Sequence, residues 1–125
     1  MTTDYSLVFA PTGQATATVT RADGFWAKGR GVLGRRALPP GAGLWLPGVA
    51  SVHTLLVRFP LDLLFLDGDF RAVRVERGVP PGRWLLRAAG AAHTLELGAG
   101  TLALLTLPPL VGDRWRLERT GNAGC

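Results

Sequence analysis

The chain has 125 residues, 47% hydrophobic and 18% charged, with 14 basic against 9 acidic side chains for a formal net charge of +5. That length fits one domain with one core, and so apolar a composition excludes a chain that stays disordered. The longest apolar stretches, Leu61 to Leu66 and Leu102 to Leu110, are too short and too interrupted to span a bilayer, so no membrane partner is expected.

The N-terminal residues, Met1 to Gly13, carry Asp4 and no basic residue, and the run Leu7-Val8-Phe9-Ala10 is too short for a signal-peptide core. Residues 1–14 read as an N-terminal arm, 15–118 as a single globular domain and 119–125 as a flexible tail. Ala15 to Thr20 alternates threonine with small or branched apolar residues, the pattern of a half-buried strand. Arg21 to Arg36 follows as the one helix candidate, with Phe25 or Trp26, Gly29, Val32 and Leu33 at helical spacing and Asp23 placed to cap it. Its glycines each cost about 1 kcal/mol against alanine, and Pro39-Pro40 stops it.

Gly43 to Leu46 is a brief strand closed by Pro47-Gly48. Leu61 to Leu66 is apolar on both faces apart from Asp62, which predicts a central strand. Asp67-Gly68 offers a two-residue hairpin turn, with Asp69 to Arg77 returning. A loop at Val79 to Gly82 leads to a short strand, Arg83 to Arg87, and then to Ala92 to Leu97, where His93, Leu95 and Leu97 share one face. Thr101 to Leu107 is ambiguous between a helical turn and a buried strand, and Arg114 to Glu118 alternates as a last strand. The fold class is therefore α+β but predominantly β: a small, barrel-like antiparallel or mixed sheet with one short helix after the first strand.

This order of signals resembles the bacterial and archaeal domain of unknown function numbered 192. The matching stretches are Gly-Val-Leu-Gly-Arg at Gly31 to Arg35, Leu-Pro-Pro-Gly-Ala-Gly at Leu38 to Gly43, His53-Thr54, Phe-Pro-Leu-Asp-Leu-Leu-Phe-Leu-Asp at Phe59 to Asp67, Leu-Glu-Leu-Gly-Ala-Gly at Leu95 to Gly100, and Gly112-Asp113. They span about residues 15 to 118. Where many members carry Trp-Met-X-Asn-Thr, this chain reads Ser-Val-His-Thr at Ser51 to Thr54. The resemblance implies a compact, mainly β fold with a short helix after the first strand, and it implies no established activity.

A carboxyl group inside a leucine-rich strand must be paired, hydrogen-bonded or protonated, which singles out Asp62 and, between Leu95 and Leu97, Glu96. Arginine is the expected companion of Asp62, with Arg35 and Arg58 the candidates. The functional reading gathers Arg35, His53, Thr54, Asp62 and Glu96 as binding residues around a polar pocket; the structural one makes Asp62 half of an ion pair fixing helix to sheet. Neither His53 nor His93 has a second histidine or a cysteine at metal-ligand spacing, so no metal and no cofactor is expected.

Function reduces to three classes. The leading one is a non-catalytic domain that binds a small polar ligand or a protein partner. The others are an enzyme using Asp62 and Glu96 for acid–base chemistry, and weak nucleic-acid binding through arginine. All basic residues except Lys28 are arginine, a bias that GC-rich coding explains better than an anion-facing surface does. The single cysteine, Cys125, permits no disulfide within the chain and fits a cytoplasmic location.

Overall fold

The computed structural model describes residues 3–23, 35–54, 57–83 and 85–120. Among these described residues nine strands run in chain order: β1 Asp4–Phe9, β2 Gln14–Arg21, β3 Ala42–Pro47, β4 Ser51–Val52, β5 Leu61–Leu66, β6 Ala72–Val79, β7 Leu86–Arg87, β8 His93–Gly98 and β9 Trp115–Arg119. Seven of them form one sheet in the order β6-β5-β8-β3-β2-β1-β9, and β4 pairs with β7 in a small second sheet. All neighbours in the large sheet are antiparallel except β2 and β3, which pair in parallel.

The two outer strands approach each other only at their beginnings, through a bridge between Arg71 and Arg114. The sheet therefore curls into a half-barrel. Its concave side holds a core of Leu7, Phe9, Val19, Trp45, Leu64, Leu66, Leu95, Leu97 and Trp115. On the convex side of β3, β8, β5 and β6 a second cluster forms from Leu38, Leu44, Val57, Leu61, Leu63, Phe65, Val79 and Leu86. β5 lies between these two layers, which is why all six of its residues are buried and why its sequence lacks the polar face of an ordinary antiparallel strand.

Several expectations are corrected by this arrangement. The segment read as an arm carries β1, which pairs with both β2 and β9 and buries Leu7 and Phe9. The helix expected over Arg21 to Arg36 falls largely on residues 24–34, outside the described residues; Arg21 itself ends β2, and Asp23 accepts from Arg21 Nε at 2.7 Å. Among the described residues the only helical element is a 3-10 turn at Leu102–Leu104. The Asp67-Gly68 hairpin is longer than two residues because Asp67 Oδ1 accepts from both Asp69 N (2.9 Å) and Arg71 N (3.0 Å). That carboxylate, held below the usual carboxylate range chiefly by the Arg71 amide, moves the positive φ from Gly68 to Phe70 at 60°.

Candidate functional site

Asp62 on β5 is 1% exposed, and its surroundings differ from those expected from the sequence. Its Oδ1 accepts from Gly78 N at 2.8 Å and its Oδ2 from Leu102 N at 2.9 Å. Among the described residues the ion pairs join Arg21 to Asp23, Arg74 to Glu76 and Arg116 to Glu118, so the arginine companion of Asp62 is replaced by two backbone amides. This satisfies both oxygens of a buried carboxyl without a second charge. One bond joins β5 to β6 where Gly78 takes a positive φ of 58°; the other supplies the 3-10 turn with the acceptor its first N–H lacks.

Glu96 on β8 is the other buried acid, 4% exposed. The register sets Asp62 opposite Leu97, and Glu96 opposite Leu63 on one side and Leu44 on the other. Cross-strand partners share a face. Asp62 thus projects with the concave core and Glu96 with the convex cluster of Leu44 and Leu63. The two carboxyl groups are not brought together, and the paired-acid arrangement of an acid–base enzyme is not formed by them.

Thr54, His53 and Arg35 lie on segments that reach the convex cluster through Val52, Val57 and Leu38. Thr54 is fully buried and ties its segment to the following loop: its Oγ1 donates to Pro80 O (2.8 Å) and accepts from Arg83 N (2.9 Å), while its own N–H donates to Arg83 O (2.9 Å) and its carbonyl accepts from Gly82 N (2.7 Å). His53, exposed, is held next to this clamp, between Val52 and Val57, which both pack in the convex cluster. Arg35 is exposed, three residues before Leu38 of the same cluster. Among the described residues no three His, Cys, Asp or Glu side chains gather as a metal site would need.

At one end of the half-barrel lies a second constellation. Trp45 Nε1 donates to His93 Nδ1 at 3.2 Å, which places the imidazole proton on Nε2. Phe70 stacks on His93 with ring centroids 4.6 Å apart and planes 13° from parallel. The Arg21 guanidinium lies 4.8 Å above the Trp45 ring, and Tyr5 meets that ring edge-on at 4.9 Å. A bulky residue with positive φ costs about 1–3 kcal/mol, so the stacking and the Asp67 turn together hold Phe70 in an otherwise unfavourable conformation.

A family model described as "Uncharacterized ACR, COG1430" matches residues 7–116. The chain belongs to the DUF192 family. Two solved structures share the fold. One, from Sinorhizobium meliloti 1021 and described as a candidate transcription regulator, is 24% identical, with a TM-score of 0.77 over 94% of each chain. The other, a protein of unknown function from Novosphingobium aromaticivorans DSM 12444, is 20% identical, with a TM-score of 0.71 over 92% of this chain and 84% of its own. No curated protein matches.

In this DUF192 domain His93 is held below its ordinary value of 6.5, chiefly by burial and then by the Arg21 charge, with Asp67 opposing. The folded state favours the neutral ring, so the unfolded chain takes up a proton first as pH falls. The stability His93 contributes is complete above its unfolded value and is lost as pH falls through the lower, folded one. Urea unfolding from pH 7 to pH 5 should show a decline in wild type that is smaller in His93→Asn, whose carbonyl can still accept from Trp45 without titrating. Identical pH profiles would mean that His93 contributes nothing to this decline. The alternation along β8 sets His93 on one face with Leu95 and Leu97; its aromatic neighbours, from β3 and the Phe70 turn, have no sequence signal linking them to it.

Proposed function

We propose that this DUF192 chain is a binding domain with no chemical step of its own, and that a small polar ligand sits on the convex face at Glu96, beside Arg35, His53 and Thr54. The observation that carries this reading is the burial of Glu96 between Leu44 and Leu63. Keeping a carboxyl group in such surroundings costs several kcal/mol before its partners offset it. Around it the covering is made of connecting segments, which carry binding groups more often than strands do. The Thr54 hydrogen bonds fix one of those segments, so His53 is presented from a rigid support.

An enzyme built on two acids is disfavoured by the engagement of Asp62 with backbone amides on the opposite face. A polar protein segment could use the same surface as a free small molecule. A cytoplasmic setting belongs to this proposal and is supported by the lone Cys125.

The reading is tested by NMR titration of the chain with free amino acids, sugars and dicarboxylates as probes. One class should shift the amides of Val52 to Thr54 and Thr94 to Leu97, and Glu96→Gln should bind it at least about tenfold more weakly while keeping the wild-type spectrum elsewhere. If every class leaves those amides in place, or Glu96→Gln binds like wild type, the site is elsewhere.

A further inference from the structure

β9 is the last strand of the large sheet, and it pairs with β1 on one side only. Ala10 N donates to Arg114 O (3.0 Å) and Thr120 N to Asp4 O (3.2 Å), so the even-numbered residues of β9 turn their amides toward β1. Trp115, Leu117 and Arg119 turn theirs outward. Trp115 N is taken by Phe70 O at 2.9 Å, but among the described residues the backbone groups of Leu117 and Arg119 have no partner on that side. A cleft of about 560 Å³ lined by Gly68, Asp69, Phe70 and residues 114–118 adjoins this edge. An open edge of this kind is a template for one more strand.

Edges are commonly protected by proline or by a concentration of one sign of charge. Trp115 to Arg119 contains no proline, and the two side chains on its solvent face cancel: Arg116 Nε lies 2.9 Å from Glu118 Oε2, with the two side chains 49% and 53% exposed. Leu117, on the other face, packs against the concave core. The order Arg116-Leu117-Glu118 is complementary to itself when reversed. If a second β9 runs antiparallel to the first with Leu117 opposite Leu117, Arg116 of each copy faces Glu118 of the other. The outward amides of the two Leu117 residues then exchange a reciprocal pair of hydrogen bonds. Moving the two-fold axis by one residue sets Arg116 against Arg116 or Glu118 against Glu118, and like charges directly opposite are unfavourable. One register is therefore selected.

We propose that the free edge of β9 is a dimerisation surface, on which a second copy of this chain adds its own β9 about a two-fold axis at Leu117 and joins the two seven-stranded sheets into one. Such a contact is isologous, each copy offering the same edge. Arg119 of the second copy comes opposite Trp115, beside the cleft where Asp69 offers a carboxylate. An unrelated extended peptide would have to bring the matching order of charges; a second copy already has it. With only one short strand from each side the dimer is weak and its population follows concentration. Glu96 takes no part, because β3, β2 and β1 lie between β8 and β9.

The test is sedimentation equilibrium of the chain at low salt, from about 10 μM to about 1 mM. Wild type should pass from monomer to dimer within that range. Arg116→Glu and Glu118→Arg each set like charges across the axis and should weaken self-association at least about tenfold. Both side chains are about half exposed, so the variants should melt near wild type. Mixed in equal amounts, the two variants should form a heterodimer, since the acidic edge of one then faces the basic edge of the other. The double exchange, Arg116→Glu with Glu118→Arg, should restore self-association to within about threefold of wild type. Hydrogen exchange at the Leu117 and Arg119 amides should slow as wild type is concentrated, while Arg116 and Glu118, already bonded to β1, stay unchanged. The proposal is overturned if wild type remains a monomer up to about 1 mM, if a dimer forms that either single reversal leaves intact, or if the mixed variants stay monomeric.

Discussion

Asparagine at position 62 should destabilise the protein by about 2–4 kcal/mol, nearly as much as alanine, although it matches aspartate in shape. Both carboxyl oxygens of Asp62 accept from backbone N–H groups, Gly78 at 2.8 Å and Leu102 at 2.9 Å. An amide has one oxygen. Whichever way the substituted side chain turns, its NH2 faces another donor, and a buried N–H is left without an acceptor at a cost of about 1–3 kcal/mol, with the repulsion added. Urea denaturation at neutral pH reads this directly. If Asp62→Asn lies within about 0.5 kcal/mol of wild type, the backbone amides do not depend on the carboxylate and Asp62 is free to serve another role.

Alanine at position 98 should have the larger effect, about 3 kcal/mol or more and insoluble expression at growth temperature. Gly98 ends β8 where the chain at Leu38 and Pro39 passes over it. An added Cβ would meet Leu38 O and Pro39 C at 2.5 Å and the Pro39 carbonyl oxygen closer still. These are backbone atoms, so no rotamer change relieves the clash. Gly68 is the control: nothing lies within 4 Å of its Cβ position and its φ is not positive, so Gly68→Ala should fold and melt almost as wild type. Equal behaviour of the two variants would show that the close approach at Gly98 is absent in solution.

Features that depend on neighbours in sequence were legible. Alternation identified β2 and β9, the doubly apolar run identified β5 as central, and the glycine and proline spacing pointed to many short strands. What depended on register was not. Within β5 and within β8 the parity of each side chain could be read, but whether Asp62 and Glu96 shared a face required knowing that Leu63, and not Asp62, lies opposite Glu96. A shift of one residue would have put them together. The partners of Asp62 were also hidden, because any backbone N–H can satisfy a carboxylate and these lie 16 and 40 residues away. At the Asp67 turn the local rule was overridden by the side chain itself, which captured two amides and shifted the strained position onto Phe70.

The pairing of β1 with β9 has a consequence for how the molecule is made. Leu7 and Phe9 find their partners, Leu117 and Trp115, more than a hundred positions later. At the pace of the ribosome, about 5–20 residues per second, the first strand waits several seconds for its outer neighbour. In the interval the β1–β2 hairpin presents one unpaired edge, and half of the concave core has nothing to close on. Emergence of β9 through Arg119 becomes the committing event, so folding should be slow and sensitive to any loss at either end of the sheet.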